Sequence, residues 1–300
     1  MTTSETFIPT SDGTNQVIGR LIDMSYAKPL DLEGFLQWDL GVDRSRPPKP
    51  ESHSWIYGTR HWDALSEAQR LETLWQENAR DISMFIYLEQ YIPPLYVGYI
   101  NQHRDKIPKN VMEYLMIFSK EEIVHTLAFR RYMKIAGLEL FTPPQGYARL
   151  FDRLPHEHPV VGILYTLLIE WLAELGAMHN ARDRDIDPVT KDLYLIHHQD
   201  EARHIGFARK LVECFFEVTP TEILNQIRTT IRAQLPSLFG LYTYNPEIAS
   251  RVSFAFPVAP EAEEEIALIR TSENNRRLNE ERFGELYAWL TKLEIMGQTH

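Results

Sequence analysis

The residues that could do chemistry are concentrated in Leu193–Ala208, which reads LYLIHHQDEARHIGFA. Glu201 and His204 form a Glu-x-x-His, and His197 stands one turn earlier. At ~100° per helical residue, Glu201 lies roughly 40° round from His197 and His204 roughly 20° the other way, so the three share a face. His198 falls ~100° off it. The face continues through Tyr194, Ala208, Leu211 and Phe215, at the spacing of a buried seam. A second Glu-x-x-His, Glu122 and His125, interrupts the seam Val111, Leu115, Phe118, Phe129 and Tyr132. Single carboxylates interrupt two more: Glu89 among Ile82, Phe85 and Ile92, and Glu170 among Ile163, Leu167 and Ala177. Ionisable groups on apolar stripes need compensation. Carboxylates can bridge two metal ions, imidazoles complete their coordination, and oxygen and nitrogen donors without thiolate suit iron or manganese.

These seams require four long helices. Ser66-Glu67-Ala68-Gln69 reads as a capping box that opens the first, and Pro93-Pro94 should kink or end it. The second is expected from Val111 to Ile135, after a loop at 104–110, with Gly137 as its stop. The third begins near Pro159. The fourth is capped by Asp187-Pro188 and runs to about Glu217. The midpoint of Glu89 and Glu122 falls inside the loop 104–110, and that of Glu170 and Glu201 inside the loop 181–187. In an antiparallel pair, residues equidistant from the turn sit at one height, here roughly 25 Å along the helix. Each lone Glu is thus level with a Glu-x-x-His. That is the layout of a carboxylate-bridged two-metal centre in a four-helix bundle.

Around this set, Asp200 and Arg203 are placed to hold histidine orientation. Glu174, level with His197, is either that histidine's hydrogen-bond partner or an alternate ligand. His197 itself is a ligand or a satisfied core histidine. Glu121 is expected to be solvated, and Cys214 to be inert packing. Phe85, Phe118, Phe129, Trp171 and Met178 either line a substrate pocket or form ordinary bundle core. The metal-free reading, buried ion pairs alone, sets four carboxylates against two imidazoles and costs several kcal/mol per charge.

No segment shows sustained strand alternation, so the chain reads as all-α, one domain over 1–300. An irregular N-terminal arm covers 1–63, with short helices near Val17–Met24 and Asp31–Asp39. The metal-binding four-helix core spans 66–217. Further helices fill 218–300: one after the capping box Thr219-Pro220-Thr221-Glu222, an irregular stretch over 238–260, and a last helix from Glu273 to about Leu293. A net charge of −11 argues against a nucleic-acid partner. One cysteine permits no intramolecular disulfide. No apolar run reaches the ~20 residues of a membrane span. With no signal pattern at the N-terminus, a cytoplasmic protein is expected.

At these residues the sequence resembles the ferritin-like non-haem di-iron oxygenases, and within them the p-aminobenzoate N-oxygenase (AurF-like) family. That family's pattern is similar to Glu89, then Glu122 and His125, then Glu170, then His197, Glu201 and His204. The histidine one turn before the last Glu is the discriminating feature. The resemblance implies two iron ions, O2 as co-substrate, and a peroxo-diferric species that oxygenates an aromatic amine to hydroxylamine, nitroso or nitro products in a biosynthetic pathway. It also implies a homodimer and an external electron donor, with the substrate free or tethered to a carrier protein. The alternatives are an acyl-carrier-protein desaturase, similar at Glu121–His125 and Asp200–His204 but without the His197 equivalent, and an iron-storage protein of ferritin type. Phe129, where a radical-bearing subunit would carry tyrosine, argues against ribonucleotide reductase. A purely structural bundle is the remaining alternative.

Overall fold

Hydrophobic periodicity builds this fold, and local signals at the helix ends set its register. The structure, a computed structural model, describes residues 8–29, 32–144, 147–180 and 185–297; the side chains of residues 33 and 173–180 lie outside that description. The described residues contain no strand, as the absence of alternation predicts.

The N-terminal arm is more regular than expected. Helix α1 (Asp12–Ala27) opens on Ser11, whose hydroxyl accepts from Thr14 N at 3.1 Å, and it buries Ile18 and Ile22. Its glycines, Gly13 and Gly19, mask the pattern in the sequence. One-turn helices α2 (Leu32–Phe35) and α3 (Arg60–Asp63) follow. Helix α4 (Glu67–Glu89) begins on the expected capping box: Ser66 Oγ accepts from Gln69 N, and Gln69 Oε1 accepts from Ser66 N at 2.9 Å. It stops at Glu89. Pro93 and Pro94 then sit in the first turn of α5 (Ile92–His103), where a missing N–H costs nothing.

Helix α6 (Lys109–Ile135) ends before Gly137, whose φ of +62° provides the left-handed stop. After α7 (Tyr147–Arg153) come α8 (Pro159–Asn180) and α9 (Pro188–Val218). Asp187 caps α9, accepting from Thr190 N at 2.7 Å. Helix α10 (Thr221–Phe239) departs from expectation at its start. The residue before it is Pro220, with no side-chain cap, because Thr219 stands one position too early. Within 238–260 a 3-10 turn forms at Pro246–Ser250. Helix α11 (Glu263–Arg270) was not legible as a separate unit; three glutamates open it and Arg270 closes it, in the sense the helix dipole favours. Helix α12 (Glu273–Lys292) matches the expected last helix.

Helix α9 packs on α8 and α6, while α4 and α5 pack on α6, so the four seam-bearing helices enclose one interior. Leu115, Phe118, Phe129, Leu167, Phe207 and Leu211 are fully buried there. Each such side chain contributes roughly 1.5–3 kcal/mol, which the helices lack in isolation. Helix α1 lies against α6 and α9, and α10 and α12 lie against α8. No helix among the described residues is long and apolar enough to cross a membrane.

Candidate metal centre

The six ionisable residues of the repeated pattern, and His197, all lie inside the bundle. None is more than 2% exposed. Glu89 ends α4, Glu122 and His125 lie on α6, Glu170 on α8, and His197, Glu201 and His204 on α9. Two groups of donor atoms close to within 4.8 Å: Glu89, His125, His197 and Glu201 in one, Glu122, Glu201 and His204 in the other.

Glu201 belongs to both groups. Its Oε1 is 3.1 Å from His125 Nδ1 and 3.0 Å from His197 Nε2, while Oε2 is 3.1 Å from His204 Nδ1. His197 Nε2 also lies 3.1 Å from Glu89 Oε1, and His204 Nδ1 lies 2.9 Å from Glu122 Oε1. So His197 joins the half that holds His125 and Glu89, although it shares a helix with His204. One half is richer in nitrogen than the other. Glu170 stands beside Glu201 and Glu122, close enough that their charges act on it.

The outward nitrogens of the two motif histidines are held crosswise. His125 Nε2 on α6 is 3.0 Å from Asp200 Oδ2 on α9. His204 Nε2 on α9 is 2.8 Å from Glu121 Oε2 on α6. In each motif, the acid just before the Glu orients the histidine of the other motif. Arg203 bonds to both acids, Glu121 at 3.3 Å and Asp200 more closely. The expectation that Glu121 is solvated is therefore wrong: it is 3% exposed. The paired acids Glu121-Glu122 and Asp200-Glu201 were the signal in the sequence. Asp200 and Arg203 stand where their orienting role requires, and His198 is only half-buried, off this face.

Aromatic rings close the cluster. Phe118 stacks on His204 with centroids 3.6 Å apart. Phe85 and Phe129 stack at 5.1 Å and flank His197 at 5.3 and 4.9 Å. Trp171 instead makes its ring contacts with Trp289 of α12, and with Arg209 above it. Glu174 and Met178 lie outside the described side chains. Tyr96 of α5 is a fully buried neighbour that the sequence reading missed. It meets Phe118 edge-on at 5.1 Å. Burial, with the charges of Glu170 and Glu122, pushes its phenol well up against the hydrogen bond of Thr166. The spacing Ile92, Tyr96, Tyr99 carried the signal.

The imidazoles and carboxylates of the cluster shift one another's proton affinities. Burial opposes protonation of His125, yet its bonds to Asp200 and Glu201 outweigh this and push it up to about 9. Against the same burial, Glu201 and Glu89 push His197 up to about 10. Glu201, facing these imidazoles, is held well below the usual carboxylate range despite its burial. Burial and the charge of Glu201 push Glu122 up to about 7. Three carboxylate oxygens still lack a hydrogen-bond partner: Glu89 Oε2, Glu122 Oε2 and Glu170 Oε1. Such orphaned atoms are what a cation satisfies. Four carboxylates with neutral imidazoles balance two divalent ions, so the residues fit a dinuclear centre.

A family model described as p-aminobenzoate N-oxygenase AurF matches residues 11–293. The chain belongs to this family. A search of the curated proteins gives no match. Membership makes the chain a di-iron N-oxygenase, a monooxygenase that works with two iron ions and O2. It also extends the likeness through α1 and α10–α12, beyond the 66–217 core that carries the motifs.

Proposed function

We propose that this p-aminobenzoate N-oxygenase family member oxygenates the nitrogen of a small aromatic amine at two irons held by Glu89, Glu122, His125, Glu170, His197, Glu201 and His204. The observation that carries the reading is Glu201, whose two oxygens face two separate groups of buried donors. Bound iron would supply the reduction of O2, which no side chain here performs.

The chain's own residues prepare the site. Asp200 and Glu121 fix the ring orientation of His125 and His204, leaving Nδ1 of each turned to the carboxylates. Phe118, Phe85 and Phe129 exclude water from both sides, which strengthens the electrostatic interactions inside. Their faces offer an aromatic amine a flat apolar wall beside His197 and His204. Electrons come from a separate donor, because one cysteine cannot ligate an iron–sulfur cluster. The enzyme works as a cytoplasmic homodimer on a free or carrier-tethered amine, carrying it to hydroxylamine, nitroso or nitro product.

Elemental analysis of protein loaded anaerobically with Fe(II) and desalted tests the centre. About two irons per chain are expected, with a fall in Glu201→Ala, and arylamine turnover should follow the iron content. Zero or one iron would sink the dinuclear reading, and many irons per chain would indicate storage.

A further inference from the structure

A chain of buried hydrogen bonds leads away from the metal cluster on the side of His197. Tyr194, one turn before His197 on α9, donates its phenol proton to Asn78 Oδ1 on α4 at 2.7 Å. Asn78 Nδ2 donates in turn to Tyr132 Oη on α6 at 3.1 Å. Tyr132 Oη is 2.6 Å from Thr190 Oγ1, and Thr190 donates to Asp187 Oδ2 at 2.7 Å. A threonine hydroxyl has one proton. Thr190 gives its own to Asp187, so Tyr132 donates to Thr190. Asn78, Tyr132, Thr190 and Asp187 are all fully buried.

The inner end of this relay faces the cluster. Tyr132 comes seven residues after His125, on the same face of α6 and roughly 10 Å along it. Phe129 fills the turn between them; Phe85 stacks on Phe129 and meets Tyr194 edge-on at 6.2 Å. At the outer end, Asp187 Oδ1 accepts from the backbone N–H of Asp43, an exposed residue, at 2.8 Å. Packing alone accounts for a satisfied polar network. It does not require a phenol proton aimed through a hydroxyl at a buried carboxylate. Burial and the charge of Asp187 outweigh the bonds of Thr190 and Asn78 and push the Tyr132 phenol up, so it keeps its proton until an electron leaves. Tyr96 stands beside Glu170 and Glu122 but has no hydrogen bond to a carboxylate.

We propose that Tyr132 is an internal one-electron donor to the O2-oxidised irons when no amine is bound, an inference that rests on the two-iron reading above. Tyr132 gives one electron to the irons, and its O–H bond breaks. The proton passes to Thr190 Oγ1 while Thr190 passes its own to Asp187 Oδ2, which becomes a neutral acid. A neutral tyrosyl radical remains, and the irons are reduced by one electron. A one-electron reductant from solution, with the proton returned from Asp187, restores the phenol. The oxidising equivalent is thus drawn off the cluster before it attacks the histidines that hold it.

The test is EPR on the full chain, loaded anaerobically with Fe(II), mixed with O2 without amine and frozen, with iron content measured on the same samples. A tyrosyl radical signal is expected, narrowed when the tyrosine rings are deuterated and quenched by ascorbate. It should be lost in Tyr132→Phe, which keeps the ring in the core. It should fall in Asp187→Asn, which keeps an oxygen to cap α9 but cannot take the proton. About two irons per chain in each variant would show that the fold and the cluster are intact. Iron-loaded parent without a tyrosyl signal, or a signal that survives Tyr132→Phe, overturns the assignment to Tyr132. A signal undiminished in Asp187→Asn overturns the proton relay. Parent protein that fails to bind the iron pair overturns the metal reading and this proposal together.

Discussion

At the scale of single residues, the unusual feature is reciprocity. Glu121 and Asp200 occupy matching positions in two motifs, and each holds the histidine of the opposite helix. Acids that orient ligating histidines raise their basicity and fix their tautomer, and losing one typically costs 10–100-fold in metal affinity. Glu121→Ala and Asp200→Ala should therefore each weaken anaerobic Fe(II) binding by roughly that factor. Because Arg203 bridges the two acids, the double variant should be less than additive. A titration showing unchanged affinity in both single variants would remove the orienting role. All seven proposed donors were legible in the sequence because each falls on an apolar seam. Glu121 was misjudged because an acid beside a ligand can face water as well, and only its match with Asp200 in the other motif marks it as the partner of a histidine on another helix.

At the scale of helices, close approach is set by one glycine and one cap. A Cβ added at Gly162 of α8 would overlap the phenol of Tyr99 on α5, a ring that is itself 1% exposed and hydrogen-bonded to Leu154 O at 2.8 Å. Gly162→Ala should lower stability by about 1–3 kcal/mol, the usual cost of overpacking, although alanine favours the helix. Asp187 accepts from Thr190 N and Oγ1, both at 2.7 Å, and from Asp43 N at 2.8 Å. Asp187→Ala should cost about 2 kcal/mol or more, because it removes the α9 cap and leaves buried donors unsatisfied. Denaturant unfolding midpoints would measure both. The Asp187 cap, the Ser66 box and the Gly137 stop were legible because they are local. The extent of α1 and the presence of α11 were not, since glycines and a short, highly charged segment depend on tertiary burial of Ile18, Ile22, Ile266 and Ile269. Glu89 still meets His125 of the paired motif, although the path from Glu89 to the turn at 104–110 is broken and runs through the separate helix α5.

At the scale of the whole molecule, a buried interior holding four carboxylates and three imidazoles makes stability depend on both metal and pH. His125 is raised from 6.5 to about 9 and His197 to about 10, so their stabilisation is complete below pH 6.5 and is lost as pH rises through those values. Glu122, raised from 4.5 to about 7, adds a penalty that grows between those two values and is complete above pH 7. Glu201, held low, is ionised throughout this window and contributes no slope there. The raised groups of the cluster thus act with one sign, and above pH 6.5, where the lowered His158 no longer contributes a slope, the metal-free protein should lose stability steadily to about pH 9. Two divalent ions replace the protons on these groups, so loading should release protons and flatten the profile. It should also raise the unfolding midpoint, most strongly at the alkaline end, where the metal-free protein has lost its imidazolium–carboxylate pairs. Parallel urea titrations of metal-free and loaded protein at several pH values would decide it. Metal-free stability that rises toward pH 9, or two profiles of equal slope, would mean that the buried charges are compensated by something other than protons and metal.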